Sequence, residues 1–407
     1  MPKRKKQPRL QKDLGLFQVT VAGVGIILGA GIYALMGVAA GTSGNATWLA
    51  FLISAFVALL TGLSYAELSS MFKGDSGEYN YIKAAINKKF AFFIGLTMIA
   101  AGFISSAAVA LGFAGYFTQL VNIPLIYAAI LLILLMTAIN FIGIKETSWF
   151  NTISTFIELF GLLIIIVLGF KYLGNVNYLE MPKGITGVFS SAALVFFAYM
   201  GFESIVKLSE ETKNAHKVIP KALIYSVIIT SIIYVLVAVS AVSVVGWEEL
   251  YNSKAPLAFV AATVLGSYAF LLLGIIALFS TSNTVLITLV ATSRLMYGMA
   301  KEKSLPKIFT LIHERTKTPW AAILFVMILT IVFALVGDIS IVANLTNLFL
   351  FVTFASVNLS LIILRYKCKN EKRGFTCPGN IGSFSFIAFL GFLSSLFMLG
   401  FVVYNLI

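Results

Sequence analysis

Long apolar segments set the fold class of this chain. The segments cover residues 16–40, 47–72, 90–121, 125–144, 149–170, 185–207, 219–245, 265–300, 319–336, 341–364 and 382–405. Most hold about 20 residues, the length that an α-helix needs to cross a bilayer. Transmembrane β-strands would be shorter and would alternate in polarity. The sequence therefore predicts an all-α polytopic membrane protein with eleven spans.

Charge placement predicts how the chain is oriented. Only 11% of the 407 residues are charged and 59% are hydrophobic, a balance that excludes an ordinary soluble domain. Of the 29 lysines and arginines, 26 lie in the N-terminal tail or in loops on the same side of the predicted spans. The positive-inside rule assigns that side to the cytoplasm. We therefore expect a cell-membrane protein with its N-terminus inside and its C-terminus outside, and we read the net charge of +13 as a topology signal, with no nucleic-acid partner.

The predicted organisation has four parts. A basic tail at 1–13 precedes a ten-helix core at 14–365, which is followed by a cytoplasmic loop at 366–381 and an eleventh helix at 382–407. Short helices are also expected in the connecting segments 76–89 and 301–315, and a surface helix at 247–264. Glu67, close to the inner end of the second span, is expected to anchor structure.

The first span has an unusual number of glycines in its middle. Gly23, Gly25, Gly29 and Gly31 lie within 16 residues of its start. Glycine lets a backbone leave the helix at low steric cost. A break in lipid leaves polar backbone groups unsatisfied, so it is tolerated only where protein or a wet cavity covers it. Two interpretations follow, close packing of small residues against another helix or an unwound substrate site.

A second break is predicted in the sixth segment. Gly201 lies within residues 190–204 and is followed two residues later by Glu203. The two glycine-bearing spans are five spans apart, and a repeat of five helices must be inverted in its second copy. Interrupted segments at matching positions of two halves point to the binding site of a transporter. We place the two repeats at residues 14–172 and 184–365.

An ordered set of motifs resembles a known family. In chain order the motifs are GIILGAGIY (25–33), YAELSS (65–70), GEYNY (77–81), FFAYMGFE (196–203), EETKN (210–214), IPKA (219–222), FSTSN (279–283) and SRLMY (293–297). Together they resemble the amino acid–polyamine–organocation superfamily of secondary transporters. The resemblance implies a leucine-transporter-type fold of 5+5 inverted helices, with helices 1 and 6 discontinuous, one extra helix here, and transport by alternating access.

The resemblance also implies how a zwitterionic substrate is held. Its carboxylate would lie on the backbone amides around Ala30, and its ammonium group on carbonyls of both breaks, under an aromatic lid formed by Phe197. Asn283 is a candidate for the side-chain pocket. The predicted substrate-binding residues are Ile26, Gly29, Ala30, Gly31, Phe197, Ala198, Met200, Gly201 and Asn283. No cofactor or metal centre is expected, and the oligomeric state is not predicted.

Glu158 is a carboxyl group in the middle of the fifth span. It lies about nine residues, or roughly 13 Å, from the inner end of that helix. Burial opposes its ionisation, so it is a natural proton carrier, although a protonated structural glutamate is the alternative. Related transporters often have a lysine here, and this chain departs from them. Glu158 can take a proton or bind sodium together with Ser280 and Thr281.

The sequence supports two interpretations of Glu203. Glu203 follows the second break, where it either gates or couples transport, or pairs with Lys207 four residues on.

The sequence has no nucleophile elbow, zinc-protease motif or Walker loop, so an enzyme is not expected. We predict proton-coupled uptake of neutral amino acids. An amino acid exchanger, a sodium symporter, a channel and a sensor without transport remain alternatives.

Overall fold

The computed structural model describes residues 14–72, 77–142, 144–210, 212–369, 371 and 373–407. Within them the α-helices are α1 (Leu16–Ile27), α2 (Ala30–Ser43), α3 (Thr47–Met71), α4 (Gly77–Ala85), α5 (Lys88–Phe117), α6 (Leu125–Ile142), α7 (Ile144–Phe170), α8 (Gly184–Val195), α9 (Ala215–Asn252), α10 (Pro256–Leu265), α11 (Ser267–Lys301), α12 (Trp320–Ala334), α13 (Ile339–Lys367) and α14 (Phe386–Leu406). Short 3₁₀ helices cover Gly44–Ala46, Phe196–Tyr199, Phe202–Glu210 and Lys307–Thr310. Strands β1 (Asn380–Ile381) and β2 (Phe384–Ser385) pair antiparallel.

The helices are those of a polytopic membrane protein. Among the described residues, nine helical stretches are long and apolar enough to cross a bilayer. One of these stretches, Ala30–Met71, contains both α2 and α3, which Gly44 separates with a positive φ of 68°. The apolar helix α12 has only 15 residues and is not among the nine. The predicted count of eleven spans treats α2 and α3 as separate crossings and includes α12, so that count stays a prediction.

Of the three connecting helices that the sequence predicts, the one at 76–89 is confirmed as α4, and the other two differ from the prediction. The helix expected at 301–315 is wrong: those residues hold only the 3₁₀ turn Lys307–Thr310, because Lys303 takes a positive φ of 60° and Pro306 follows. The surface helix expected at 247–264 is divided. Helix α9 continues to Asn252 through a kink at Gly246, and α10 begins at Pro256. A glycine allows the kink, and a proline favours the first turn of a new helix.

Glu67 is an anchor, as predicted. Its side chain is completely buried on α3 and forms ion pairs with Arg365 of α13 and Arg373 of the loop that follows α13. The backbone amide of Cys377 donates to the same carboxylate at 2.7 Å. Burial raises the pKa of the Cys377 thiol, which donates to the carbonyl of Leu63. The loop between α13 and α14 is thereby held against the end of α3.

Aromatic side chains fix the sixth segment against its neighbours. Phe196 lies 4.5 Å from Phe351 of α13, measured between ring centroids, and Phe202 packs edge-on against Tyr65 of α3 at 5.7 Å. All four side chains are buried. These contacts hold residues 196–202 in a non-α conformation between α3 and α13, which positions the site described next.

Two parts of the prediction lie outside the described residues. The basic tail at 1–13 is one of them. The other is the side chain of Lys207, so the proposed ion pair between Lys207 and Glu203 stays a prediction.

Candidate functional site

The first helix is interrupted for two residues. Helix α1 ends at Ile27, and Leu28 has a ψ of 114°. Gly29 is fully extended, and α2 begins at Ala30 without a side-chain cap from Gly29. The backbone amides at the start of α2 therefore carry the positive end of a helix dipole. The interruption is shorter than the glycine-rich stretch that predicted it.

The second interruption is longer and depends on one glycine. Helix α8 ends at Val195 and passes into the 3₁₀ turn Phe196–Tyr199. Gly201 then takes a φ of 117°, which disfavours any residue with a Cβ atom. The Glu203 carboxylate accepts a hydrogen bond from the Gly201 amide at 2.9 Å. One role of Glu203 is therefore to hold the turn that follows the break.

The two interruptions touch each other through backbone atoms. A Cβ atom added at Gly31 would lie 2.5 Å from the Cα of Ala198. A Cβ added at Gly201 would lie 2.8 Å from the carbonyl oxygen of Ile26. Contacts below 3.0 Å to backbone cannot be relieved by a side-chain rotation. The glycines therefore allow both the breaks and their close approach.

Tyr234 of α9 connects the two interruptions. Its hydroxyl lies 2.9 Å from the carbonyl oxygen of Ile27 and 3.0 Å from that of Ala198, and it donates its one proton to this pair. The side chain is completely buried. Tyr234 lies outside the sequence motifs that predicted the site. Its signal is a hydroxyl within an apolar span, because a buried tyrosine hydroxyl usually finds a partner.

We expect Tyr234→Phe to reduce transport about tenfold. The carbonyl oxygens of Ile27 and Ala198 would lose the buried hydroxyl that donates a hydrogen bond to them. The measurement is initial uptake into proteoliposomes at equal protein density. Tyr178→Phe is the matched control, since it removes a hydroxyl that bonds Ser243 and the Gly174 amide away from the breaks. Unchanged uptake by Tyr234→Phe would show that the bridge has no part in transport.

Thr284 of α11 caps the start of α2. The Ala30 amide donates to its hydroxyl oxygen at 3.0 Å, and the same hydroxyl donates to the carbonyl of Ser280 at 3.1 Å. A Cβ added at Gly29 would lie 3.2 Å from this oxygen. Thr284 thus occupies an amide that the sequence analysis assigned to a substrate carboxylate. The sequence feature that points to Thr284 is its position four residues after Ser280, on the same face of α11.

Glu158 lies beside the first interruption. Its side chain is completely buried, and neither carboxylate oxygen has a hydrogen-bond partner among the described residues. The hydroxyl of Ser280 faces the carboxyl group without meeting hydrogen-bond geometry. Tyr33 of α2 donates to the backbone carbonyl of Glu158 at 2.9 Å, which fixes α7 against α2. The arrangement keeps an ionisable group in an apolar interior, with the Ser280 hydroxyl beside it.

The remaining predicted residues are distributed around these features. The Thr281 hydroxyl donates to the Ala277 carbonyl of its own helix at 2.7 Å, and its expected place beside Glu158 together with Ser280 stays a prediction. Phe197 is buried in the cluster that contains Ala30. Met200 is half-buried. The side-chain amide of Asn283 donates to the side-chain oxygen of Asn151 on α7 at 3.0 Å, a contact that the sequence analysis did not foresee.

Two discontinuous helices in backbone contact, within a bundle of apolar helices, form the kind of site at which secondary transporters bind their substrates. The family model described as amino acid permease matches residues 14–406, and the chain belongs to that family. This match confirms the family assignment that the sequence motifs suggested.

Relatives in several organisms match nearly the whole chain. The branched-chain amino acid permease BcaP of Bacillus subtilis is 28% identical over 91% of this chain and 84% of the relative. The methylthioribose transporter of the same organism is 28% identical over 92% and 85%. The Arabidopsis thaliana cationic amino acid transporter 3, mitochondrial, is 28% identical over 88% of this chain and 63% of its own length. The names of these relatives include three kinds of substrate.

Proposed function

We propose that this chain is a secondary active transporter that takes up neutral amino acids across the cell membrane by alternating access, coupled to protons. The observation that carries the proposal is the backbone contact between the two interruptions, at Gly31 with Ala198 and at Gly201 with Ile26. An amino acid is a zwitterion. Helix amides at the first break suit its carboxylate, and carbonyl oxygens of both breaks suit its ammonium group.

In this proposal the carboxylate binds the amides of Gly29, Ala30 and Gly31 and displaces the Thr284 hydroxyl from Ala30. The ammonium group takes carbonyls of Ile26, Phe197, Ala198 and Met200, with Gly201 providing the turn. Because a neutral hydroxyl is a weaker acceptor than a carboxylate, the exchange favours the substrate. Phe197 closes over the substrate, and Asn283 contributes to the side-chain pocket.

The arrangement of short helices supports the inverted repeat. Helix α4 follows α3, the second span of the proposed first repeat, and α10 follows α9, the second span of the proposed second repeat. In each half the first span is interrupted. Matching irregularities at matching positions favour repeats at 14–172 and 184–365, with α14 as the extra helix. The lysine and arginine distribution supports an N-terminus inside and a C-terminus outside.

The proposals of a neutral substrate and of proton coupling are based on the charged residues at the site. Glu158 and Glu203 are the acidic residues beside the interruptions among the described residues, and the Glu203 carboxylate already accepts the Gly201 amide. A cationic substrate would require a further acidic group near its side chain. The name of the branched-chain permease relative favours an apolar substrate side chain. Glu158 is the proposed proton carrier, with Ser280 and Thr281 beside it.

A counterflow assay in proteoliposomes tests the proposal. We expect vesicles preloaded with an unlabelled neutral amino acid to accumulate the labelled one, and net uptake to follow an inward proton gradient without sodium. Empty liposomes are the control. Counterflow without net uptake would indicate an exchanger. A requirement for sodium would show that the coupling ion is sodium and not the proton. The absence of counterflow with all twenty amino acids would favour a sensor and contradict transport.

A further inference from the structure

A line of polar side chains runs between α7 and α11, which pack against each other. Asn151, Ser154 and Glu158 lie on one face of α7, at spacings of three and four residues. Ser280 and Asn283 lie on α11. We call these five residues the polar seam. Asn151 and Glu158 are seven residues apart, so the seam extends about 10 Å along α7.

Most polar atoms of the polar seam are buried without a partner among the described residues. These atoms are the Ser154 hydroxyl, both carboxylate oxygens of Glu158, the Ser280 hydroxyl and the side-chain oxygen of Asn283. The side chains of these four residues are at most 5% exposed. Buried polar groups in proteins nearly always have a hydrogen-bond partner, so four unpartnered groups in one seam imply that polar species enter it.

One end of the polar seam is closed by an amide pair. Asn283 donates to Asn151 at 3.0 Å, and beside them the ring of Phe150 stacks on Phe279 with centroids 6.3 Å apart. At the other end lies Glu158. The seam therefore connects the first turns of α7 with the carboxyl group beside the first interruption.

Among the residues that the structure describes, few titratable groups face Glu158. They are the phenols of Tyr33 on α2 and Tyr234 on α9. Both hydroxyls are committed elsewhere, Tyr33 to the Glu158 backbone carbonyl and Tyr234 to the two interruptions. Among the described residues of α6, α10 and α11, no charged side chain interacts with the carboxyl group. The Ser154 and Ser280 hydroxyls, in contrast, have no partner among the described residues, so they are available to exchange a proton.

We propose that the polar seam is the route by which protons pass between Glu158 and the membrane side on which α7 begins, with the Asn151–Asn283 pair as its gate. This inference rests on the proposed proton coupling. Water molecules that enter the seam connect its oxygen atoms, which do not bond to one another directly. At each step one O–H bond breaks and one forms, so a single proton moves from the carboxylic acid through hydroxyls and these water molecules to the bulk water. A hydroxyl donates and accepts through the same oxygen, whereas a carboxamide uses different atoms. The amide pair therefore blocks the relay until α7 and α11 separate.

The test uses the full-length protein in proteoliposomes with a pH-sensitive dye in the lumen. We expect Ser154→Ala to slow substrate-driven proton entry about tenfold and to raise the solvent deuterium isotope effect, because one relay oxygen is lost. Equilibrium binding of substrate should be unchanged, which a purely structural role would not predict. Asn283→Ala should increase proton leak in the absence of substrate.

Ser395→Ala is the matched control. Ser395 is also completely buried, but its hydroxyl donates to the Gly391 carbonyl of its own helix at 2.7 Å. It should behave as the unmodified protein in both assays. Ser154→Ala with normal proton entry and a normal isotope effect would overturn the proton route while leaving transport intact. Substrate uptake without any proton entry in the unmodified protein would instead overturn the coupling, and the route with it.

Discussion

Gly31→Ala is expected to abolish measurable uptake. The added Cβ atom would lie 2.5 Å from the Cα and 2.7 Å from the Cβ of Ala198. Because both of these Ala198 atoms belong to a tightly packed backbone turn, one interruption must move away from the other. Overpacking of this kind costs about 1–3 kcal/mol even where a core can adjust, and here it displaces the atoms that would hold the substrate. Initial uptake and counterflow in proteoliposomes measure the effect.

The control for this substitution is another glycine within a helix. Gly298 of α11 has no atom within 4 Å of an added Cβ, and alanine is the better helix former by about 1 kcal/mol. Gly298→Ala should therefore transport normally and be at least as stable. Normal uptake by Gly31→Ala would mean that the contact between the interruptions is not needed for transport, which would contradict the proposed function.

Glu158→Gln is expected to remove the dependence of uptake on a proton gradient. Glutamine has nearly the same shape as a protonated glutamate but cannot release a proton. We expect gradient-driven net uptake to fall by about a hundredfold, while counterflow, which needs no net proton movement, persists. In the unmodified protein uptake should rise as the external pH falls, because loading requires the neutral acid. The variant should show a flat pH profile.

Glu302→Gln is the control for the carboxyl substitution. Glu302 is exposed and follows the last turn of α11, so its loss should leave the pH profile unchanged. If Glu158→Gln retained the pH profile of the unmodified protein, the proton carrier would have to be another group. If both proton-driven uptake and counterflow were lost, Glu158 would be needed for the structure of the site instead of for coupling.

The sequence anticipated that the first span breaks but not which glycine breaks it. Gly23 and Gly25 remain in α1, where added Cβ atoms would meet the Ser226 hydroxyl at 2.3 Å and the Thr155 methyl group at 2.6 Å. Gly29 is the extended residue, and Gly31 lies against Ala198. Packing and unwinding were treated as rival interpretations of one motif. They are the roles of different glycines in it, and only neighbouring helices distinguish them.

The partners of the polar residues could not be predicted. Tyr234 and Thr284 contact residues more than 200 positions away along the chain, at Ile27 and Ala30 respectively. A hydroxyl in an apolar span commonly bonds to its own helix, as Thr281 does. Helical periodicity tells which side chains share a face, but it does not tell which helix that face meets.

The sequence by itself determined the membrane class, the family and the two places where helices are interrupted. Those features depend on local physics, namely the length of apolar segments and the backbone freedom of Gly29 and Gly201. Only the tertiary structure decided that the interruptions touch, that Tyr234 and Thr284 hold them, and that Glu158 faces Ser280 without a hydrogen bond. These are contacts between helices distant in sequence, whose relative placement depends on the packing of the whole bundle.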